Sequence, residues 1–400
     1  MNRNISSLCR ISEKEERTII GLMSGTSVDG LDIALCRVRG SGTETKIEIC
    51  DFDTISYSSD FKSEVKSVFA KKEVDFEKLC LLNPWVAQQQ AAMINLFLKK
   101  RNISPDEIDL IASHGQTVYH APKALHLLEK FGNATLQIGD GDHLAVSTGI
   151  ITISDFRQKH IAAGGEGAPL AVYGDYLIFS KQHENRIMLN MGGIANFTYL
   201  PGNLNPNLIF SSDTGPGNTI MDALVQQHFP EKYFDENAAI AIQGKVNESL
   251  LKALKDHPFF EQNFPKTTGP ELFNLKYLQL AKEKADINEI SLFDTMATLN
   301  LFSASTIVEA IHKSTLQQNE FTLYASGGGL HNSLLMQHIK NLLPGIPIHT
   351  TSTLGIQPDA KEAVLFAVLA NECIAGGEIQ FNNQIQGIPS LTMGKISFPW

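Results

Sequence analysis

Apolar runs at Ile19–Met23 and Leu31–Leu35 flank a polar loop from Ser24 to Gly30, a pattern that predicts strand, loop, strand. Asp29-Gly30 is a tight-turn signal, because glycine readily supplies the positive φ that such hairpins need. Alternation over Lys46–Tyr57 predicts a third strand. Helices are expected over Asp60–Lys71 and Asn83–Arg101, the second with Asn83 as N-cap and Pro84 at the first helical position. A turn at Ser104–Glu107 leads to a buried-type strand, Ile108–Ala112, which ends in Ser113-His114-Gly115-Gln116-Thr117. Thr135–Ile138 is a further strand, Gly139-Asp140 opens a helix through Ala145, and Ile150–Ser154 delivers Asp155-Phe156-Arg157.

The second half repeats the first in outline. Arg186–Asn190, the turn Met191-Gly192-Gly193 and Ile194–Leu200 again read as strand, small-residue loop, strand. Leu208–Ser212 is expected as a strand ending in Asp213-Thr214-Gly215-Pro216-Gly217-Asn218, before a helix at Thr219–Phe229. Helices follow over Ala238–Asp256, Asn274–Lys284 and Ser291–Lys313, the last with apolar residues at core spacing. Phe321–Ala325 reads as a strand opening onto Ser326-Gly327-Gly328-Gly329 and a helix, His331–Leu343. After Gln357-Pro358 comes a long apolar helix to Cys373, and Ser390–Phe398 suggests a last strand. The glycine-rich turn Gly164–Leu170 marks the neighbourhood of a boundary between lobes at 17–155 and 156–400, with a return of the C-terminal part to the first lobe left open and 1–16 a loose extension.

Composition narrows the class. Four hundred residues allow two domains with a sizeable core, and 43% apolar with 19% charged content is that of a globular chain. A net charge of −10 argues against non-specific nucleic-acid binding, though not against small anionic ligands held by local donors. The five cysteines are scattered without a CxxC pair, which fits a reducing compartment and gives no zinc signal. The first sixteen residues lack a signal-peptide core, and no apolar run is long enough to span a bilayer; a cytoplasmic protein with no membrane partner is expected.

Chemistry gathers in the loops. Ser24–Gly30 carries three hydroxyls and exposed backbone N–H groups beside Gly25, and can cradle phosphoryl oxygens while Asp29 or Asp32 holds magnesium directly or through water. An ordinary polar hairpin would carry the same residues. His114 with His120 has no third ligand at metal spacing, so a hydrogen-bonded histidine is the plainer reading. Arg157 suits either a surface ion pair or an anion fork. Asp213 stands before a glycine-rich loop and a helix start, where anions are favoured, although a simple cap would use the same residues. Glu362 is either a first-turn dipole partner or a cleft group. Neither GxGxxG nor GxxxxGK[ST] occurs, which excludes the dinucleotide fingerprint and the Walker loop.

Three glycine-containing loops at strand ends, Ser24–Gly30, Asp213–Asn218 and Ser326–Gly329, spread over two similar halves, resemble an α/β fold: the two-lobed actin/hexokinase-like (ribonuclease H-like) ATPase architecture with a central ATP/sugar cleft. The motifs SGTSVDGLD at 24–32, SHGQT at 113–117, DFR at 155–157, AAGGEGAPL at 162–170, NMGGIAN at 190–196, DTGPGN at 213–218 and SGGG at 326–329 together resemble the anhydro-N-acetylmuramic acid kinases. Glu166 stands where that family often has Gln, and Met191 where it often has Ile.

The resemblance implies a kinase of peptidoglycan recycling. It would use ATP and water to convert 1,6-anhydro-N-acetylmuramic acid into N-acetylmuramic acid 6-phosphate and ADP. Asp213 matches the family's catalytic aspartate, the base that would activate water. Nucleotide contacts are implied for Gly25, Thr26, Ser27, Val28, Asp29, Gly30, Leu31 and Asp32, and for Gly192, Gly193, Gly215, Gly327, Gly328 and Gly329. Arg157, Glu362 and His114 would contact the sugar. Magnesium is implied with ATP, without a resident metal site of protein ligands alone, and a homodimer is expected. Two alternatives stay open on the residues themselves: a glycoside hydrolase using Asp213 with Glu362, and a non-catalytic ATP-gated sugar sensor.

Overall fold

β1 (Glu16–Ser24) and β2 (Gly30–Arg39) are almost continuously buried, as strands covered on both faces must be. They pair antiparallel, with Ile20 opposite Leu35. β3 (Lys46–Ser56) adds to the far side of β2, and its regular alternation of partly buried and exposed residues marks it as an edge. In this computed structural model, which describes residues 2–287, 289–314, 320–377, 379, 381 and 392–400, the chain forms two compact units. The first comprises Met1–Ser180, Pro206–Leu208 and Gly355–Trp400; the second comprises Lys181–Asn205 and Ile209–Leu354. The division thus falls after Ser180 rather than after Asp155, while Gly355–Trp400 groups with the first unit, the return that the sequence left open.

In the first unit β4 (Leu110–Ala121) lies parallel to β1, with Ile20 opposite Ile111. β5 (Ala134–Ile138) pairs antiparallel with the distal half of β4, and β6 (Thr152–Ser154) runs parallel to its proximal half. In the second unit β7 (Arg186–Met191), β8 (Ile194–Leu200) and β9 (Phe210–Pro216) form an antiparallel meander. β10 (Thr322–Ser326) joins β7 in parallel and β11 (Ile348–Thr350) joins β10 in parallel. β12 (Lys395–Ser397) returns to the first unit, antiparallel to β6. Taken separately, the orders β3-β2-β1-β4-β6 and β9-β8-β7-β10-β11 are the same five-strand pattern with the same strand senses. The repeat read in the sequence is therefore real, and the fold is the duplicated ribonuclease H-like α/β architecture. No helix among the described residues is long and apolar enough to cross a membrane.

Helices differ from the sequence expectation mainly at their ends. The helix expected from Asn83 starts at Phe76, capped by the Asp75 carboxylate accepting from Lys78 N at 3.1 Å, so Pro84 lies inside it. Asn83 is used elsewhere: its Oδ1 accepts from Gly139 N at 2.9 Å. The helix expected over Asp60–Lys71 stops at Lys66. Ala238–Asp256 is not one helix: Ala238, at φ 59°, ends a 3₁₀ turn from Glu236, a second turn spans Ala241–Gln243, and the helix is Glu248–Lys255. In Leu292–Ser314 the expected core positions are buried except Phe293, which is 40% exposed, and Leu301, which is half-buried. The final strand suggested at Ser390–Phe398 is confined to Lys395–Ser397, and residues 390–391 lie outside the described residues.

Residues 3–12, read as part of a loose extension, are an α-helix. Arg17 ties it down, donating from Nε to Ile11 O at 3.1 Å, from Nη2 to Ser12 O at 3.0 Å and from Nη1 to Asn371 Oδ1 at 3.0 Å. Asn371 belongs to the helix Lys361–Ala375, whose residues Ala363 to Glu372 are all buried. That helix lies so close to β1 that a Cβ on Gly21 would stand 1.9 Å from the Ala363 carbonyl oxygen. Backbone cannot retreat as a flexible side chain can. Gly21→Ala should therefore destabilise the first unit by at least about 1–3 kcal/mol, read as a lowered thermal or urea midpoint; an unchanged midpoint would disprove this packing.

Candidate active site

The loop after β1 is closed by Val28 N donating to Gly25 O at 3.2 Å. The positive φ falls on Val28, at 58°, and not on Gly30. Gly30 is required for space instead, since a Cβ there would lie 2.7 Å from Ile55 O on the neighbouring strand. Val28 and Leu31 are 0% and 1% exposed and belong to the core, so only their backbone can meet a ligand. Thr26, Ser27 and Asp29 are exposed, and Gly25 and Asp32 are half-buried. Asp32 accepts from Thr54 Oγ1 at 2.6 Å, and burial, with Asp359 adding to it, raises its carboxyl above the usual range. A carboxylate in that setting gains from a nearby cation, which is the fit a magnesium ion needs. Asp29, with its side chain 78% exposed, stands 3.9 Å from Lys62 Nζ.

The SHGQT cluster is not at a strand end, because β4 runs on through it to Ala121. What changes there is the partner: Ser113 still faces β6, whereas Gln116 faces β5 and the end of β1. Gly115, at φ +73°, makes the kink. His114 is buried and both its ring nitrogens are engaged. Nδ1 lies 2.9 Å from Gly115 O, and Nε2 lies 3.0 Å from Arg157 Nε. Arginine can only donate, so Nε2 accepts and Nδ1 carries the proton. Burial, with the Arg157 charge behind it, pushes His114 down to about 3, so the ring stays neutral. Neither nitrogen is left for a sugar; His114 holds Arg157.

Arg157 follows Asp155, the residue that turns the chain into the helix Phe156–Ala162 with φ 55°. Its Nη1 donates to Gly167 O at 2.6 Å, in the glycine-rich turn. Among the described residues no partner takes Nη2, so the guanidinium is fixed on one side and open on the other. Glu362, in the first turn of Lys361–Ala375, is within electrostatic reach of Arg157 and Asp32. Its carboxyl is raised, first by the protein crowding it and then by Asp32, with Lys361 and Arg157 opposing, although its side chain still meets solvent. Arg157 and Glu362 are thus brought into one neighbourhood of the first unit.

In the second unit β9 carries Asp213 within the strand rather than at its tip. Its backbone N donates to Lys266 O at 3.0 Å, and its Oδ2 accepts from Thr268 N at 2.8 Å. Burial pushes the carboxyl up to about 6; Glu271 adds to this and the Thr268 N–H opposes it. The glycine loops are knotted by backbone: Gly217 N and Thr219 N donate to Gly193 O at 2.8 and 3.1 Å, and Asn218 N donates to Gly192 O at 2.9 Å. Gly327 and Gly329 press against Met191, and Gly215 against Phe260 and Thr306. Gly193 faces the Thr219 hydroxyl. Gly192 and Gly328 alone of the six would set a Cβ at ordinary contact distance, 3.6 Å from Ile194 O and 3.8 Å from Asn218 Nδ2. Sequence reasoning left out Gly217, whose Cβ would lie 2.3 Å from Gly192 O, although the GPG run signals it. It also left out Thr268, which has no local signal because only folding brings it to Asp213.

Two sheets of one pattern with glycine loops after their first strands are the layout of the duplicated ATPase fold, and the match to a kinase family gives the class of enzyme built on it. A family model described as anhydro-N-acetylmuramic acid kinase matches residues 17–383. The anhydro-N-acetylmuramic acid kinase of Pseudoalteromonas atlantica is 59% identical over 400 residues, covering 100% of both chains. That of Caldanaerobacter subterraneus subsp. tengcongensis is 39% identical, covering 98% of this chain and 99% of its own. The chain belongs to the anhydro-N-acetylmuramic acid kinase family. Among solved structures, a Schistosoma mansoni hexokinase complexed with glucose matches with TM-score 0.36 and 10% identity over 90% of this chain and 86% of its own, too distant to bear on function.

The glycine geometry separates two roles. Gly217→Ala should lower the melting temperature, since backbone meets backbone there, with a cost of about 1–3 kcal/mol. Gly192→Ala should leave it unchanged. Equal melting temperatures for the two variants would refute the knot.

Proposed function

We propose that the chain transfers the γ-phosphoryl group of ATP to O6 of 1,6-anhydro-N-acetylmuramic acid as water opens the anhydro bridge, yielding N-acetylmuramic acid 6-phosphate and ADP. In the anhydro sugar O6 has no proton, because it is bonded to C1. A base has to act on water instead: water's oxygen bonds to C1, the C1–O6 bond breaks, and O6 takes the phosphoryl group. Asp213 supports this reading more than any other residue. Its carboxyl lies near 6, so at neutral pH it is ionised yet basic enough to accept a proton, and Thr268 N–H holds it in one orientation. The residues of the Gly25–Asp32 loop would take the phosphates, and Asp32 would hold magnesium, which when bound neutralises phosphate charge. Gly192 and Gly328, the two glycines not pressed by a neighbour, would lie against the nucleotide. Arg157, through its unengaged Nη2, and Glu362 would contact the sugar. A cytoplasmic homodimer belongs to the same reading, supported by the family resemblance and checked by light scattering at twice the monomer mass.

Asp213→Asn keeps the side chain's size but removes the base, so kcat should fall at least about 10²–10⁴-fold while both substrates still bind. In the native enzyme kcat should fall as pH drops through about 6, where Asp213 takes up its proton. Reaction in ¹⁸O-labelled water should place the label at C1 of the product. Label in the phosphoryl group would show attack on phosphorus instead, and near-normal turnover by Asp213→Asn would point to another base.

Arg157→Ala should raise KM for the sugar about ten- to a hundredfold, the worth of a charge-assisted hydrogen bond at roughly 1.5–3 kcal/mol, with little change in KM for ATP. An equal effect on both substrates would assign Arg157 a purely structural part.

A further inference from the structure

Ser24, the last residue of β1, uses its hydroxyl inside the protein rather than toward a ligand. Ser24 Oγ donates to Gln116 Oε1 at 2.5 Å and accepts from Tyr57 Oη at 2.9 Å. Tyr57 Oη accepts from Gln90 Nε2 at 3.2 Å. At the other end Gln116 Nε2 donates to the carbonyls of Gly25 and Thr117, both at 3.2 Å. All four side chains are buried, none more than 4% exposed. They come from β1, β4, the residue after β3, and the helix Phe76–Arg101.

The direction of this relay is forced. The Gly25 carbonyl can only accept, so the Gln116 amide nitrogen faces it and the Gln116 oxygen turns to Ser24. Ser24 gives its proton to that oxygen and must accept from Tyr57, and Tyr57 must accept from Gln90. Burial pushes the Tyr57 phenol up to about 12, so it keeps its proton. Bonds aligned one way polarise one another. Gln90 Oε1, buried and without a partner among the described residues, is the open end.

The relay's product is the orientation of one peptide unit. The Gly25 carbonyl is held inward by Gln116 and by Val28 N. In a trans peptide the N–H points away from the C=O, so Thr26 N–H faces away from Gln116. Among the described residues no hydrogen bond takes the N–H of Thr26 or Ser27, and both residues are exposed. We infer that Gln90, Tyr57, Ser24 and Gln116 are positioning residues that clamp the Gly25 carbonyl and so present Thr26 N–H to the phosphates of ATP. The inference rests on the reading of Gly25–Asp32 as the phosphate loop.

The test is a KM-against-kcat comparison with ATP and the anhydro sugar, alongside thermal melts. Tyr57→Phe keeps the ring, stacked on Phe61 at 3.8 Å, and removes the middle of the relay. Gln116→Glu keeps the shape but turns an acceptor toward the Gly25 carbonyl. KM for ATP should rise about three- to tenfold in Tyr57→Phe and further in Gln116→Glu, with KM for the sugar within about twofold of native. Because the bonds act in series, adding Gln90→Leu to Tyr57→Phe should raise KM for ATP no further. Gly25→Val is the control for the loop itself: a Cβ there meets only Ser27 Oγ, at 3.8 Å, so the fold accepts it while approach to the backbone is blocked. Unchanged KM for ATP in Gly25→Val would overturn the phosphate-loop reading. A raised KM in Gly25→Val with native values in Tyr57→Phe and Gln116→Glu would overturn the relay alone. So would a lowered melting temperature in Tyr57→Phe with equal shifts for both substrates. If Gln116→Glu fails to fold, Tyr57→Phe decides.

Discussion

Parallel pairing of the first strand of each meander with a strand far along the chain is the constraint on which the rest depends. β1 against β4 sets Ser24 opposite Gln116. β7 against β10 sets Asn190 opposite Ser326. In the second unit this brings the carboxyl ends of two parallel strands together, and in the first it sets the end of β1 beside the point where β4 changes partners, so that loops and exposed backbone N–H groups collect there. Local turn chemistry could form each hairpin alone. Only the parallel pairing brings in the second loop, and it requires a long crossover whose helices then cover the sheet faces.

Burial then sets the charge states, in opposite senses for opposite kinds of group. It drives His114 to the neutral form and raises Asp213 toward its own. His114 is useful to Arg157 because it is neutral: a protonated ring would have no lone pair for the guanidinium. Asp213 is raised only part-way, because one backbone N–H offsets some of the desolvation. One fold thus supplies a permanent acceptor and a titratable base without any metal ligand set of its own among the described residues.

Strand cores, the internal repeat and the glycine loops were legible in the sequence because periodicity and Gly-rich punctuation are local signals. Ile19–Met23, Ile194–Leu200 and the helix following Leu292 needed nothing more. What was not legible depended on distant chain. Asn83-Pro84 looks like a helix start, yet Asp75 caps the helix earlier and Asn83 serves Gly139 instead. SHGQT looks like a strand end, yet β5 extends the ladder past it. The positive φ went to Val28, whose side chain the core accepts, rather than to the glycine. Of the candidate site, Asp213 and Arg157 were visible as residues, but Thr268, Gly167 and His114 as their holders were not. Hydrogen bonds across 55, 10 and 43 residues leave no trace in spacing.

β4 has one consequence for anyone redesigning this enzyme. His114 and Gln116 are two residues apart on one strand, separated only by the Gly115 kink; the first fixes Arg157 and the second reaches the loop after β1. Under the proposed roles, acceptor choice and nucleotide affinity share a single backbone lever. Libraries that diversify the strand for new sugars would therefore drag the ATP response with them, whereas changes placed on Arg157's other neighbour, the Gly164–Leu170 turn, would leave that lever untouched.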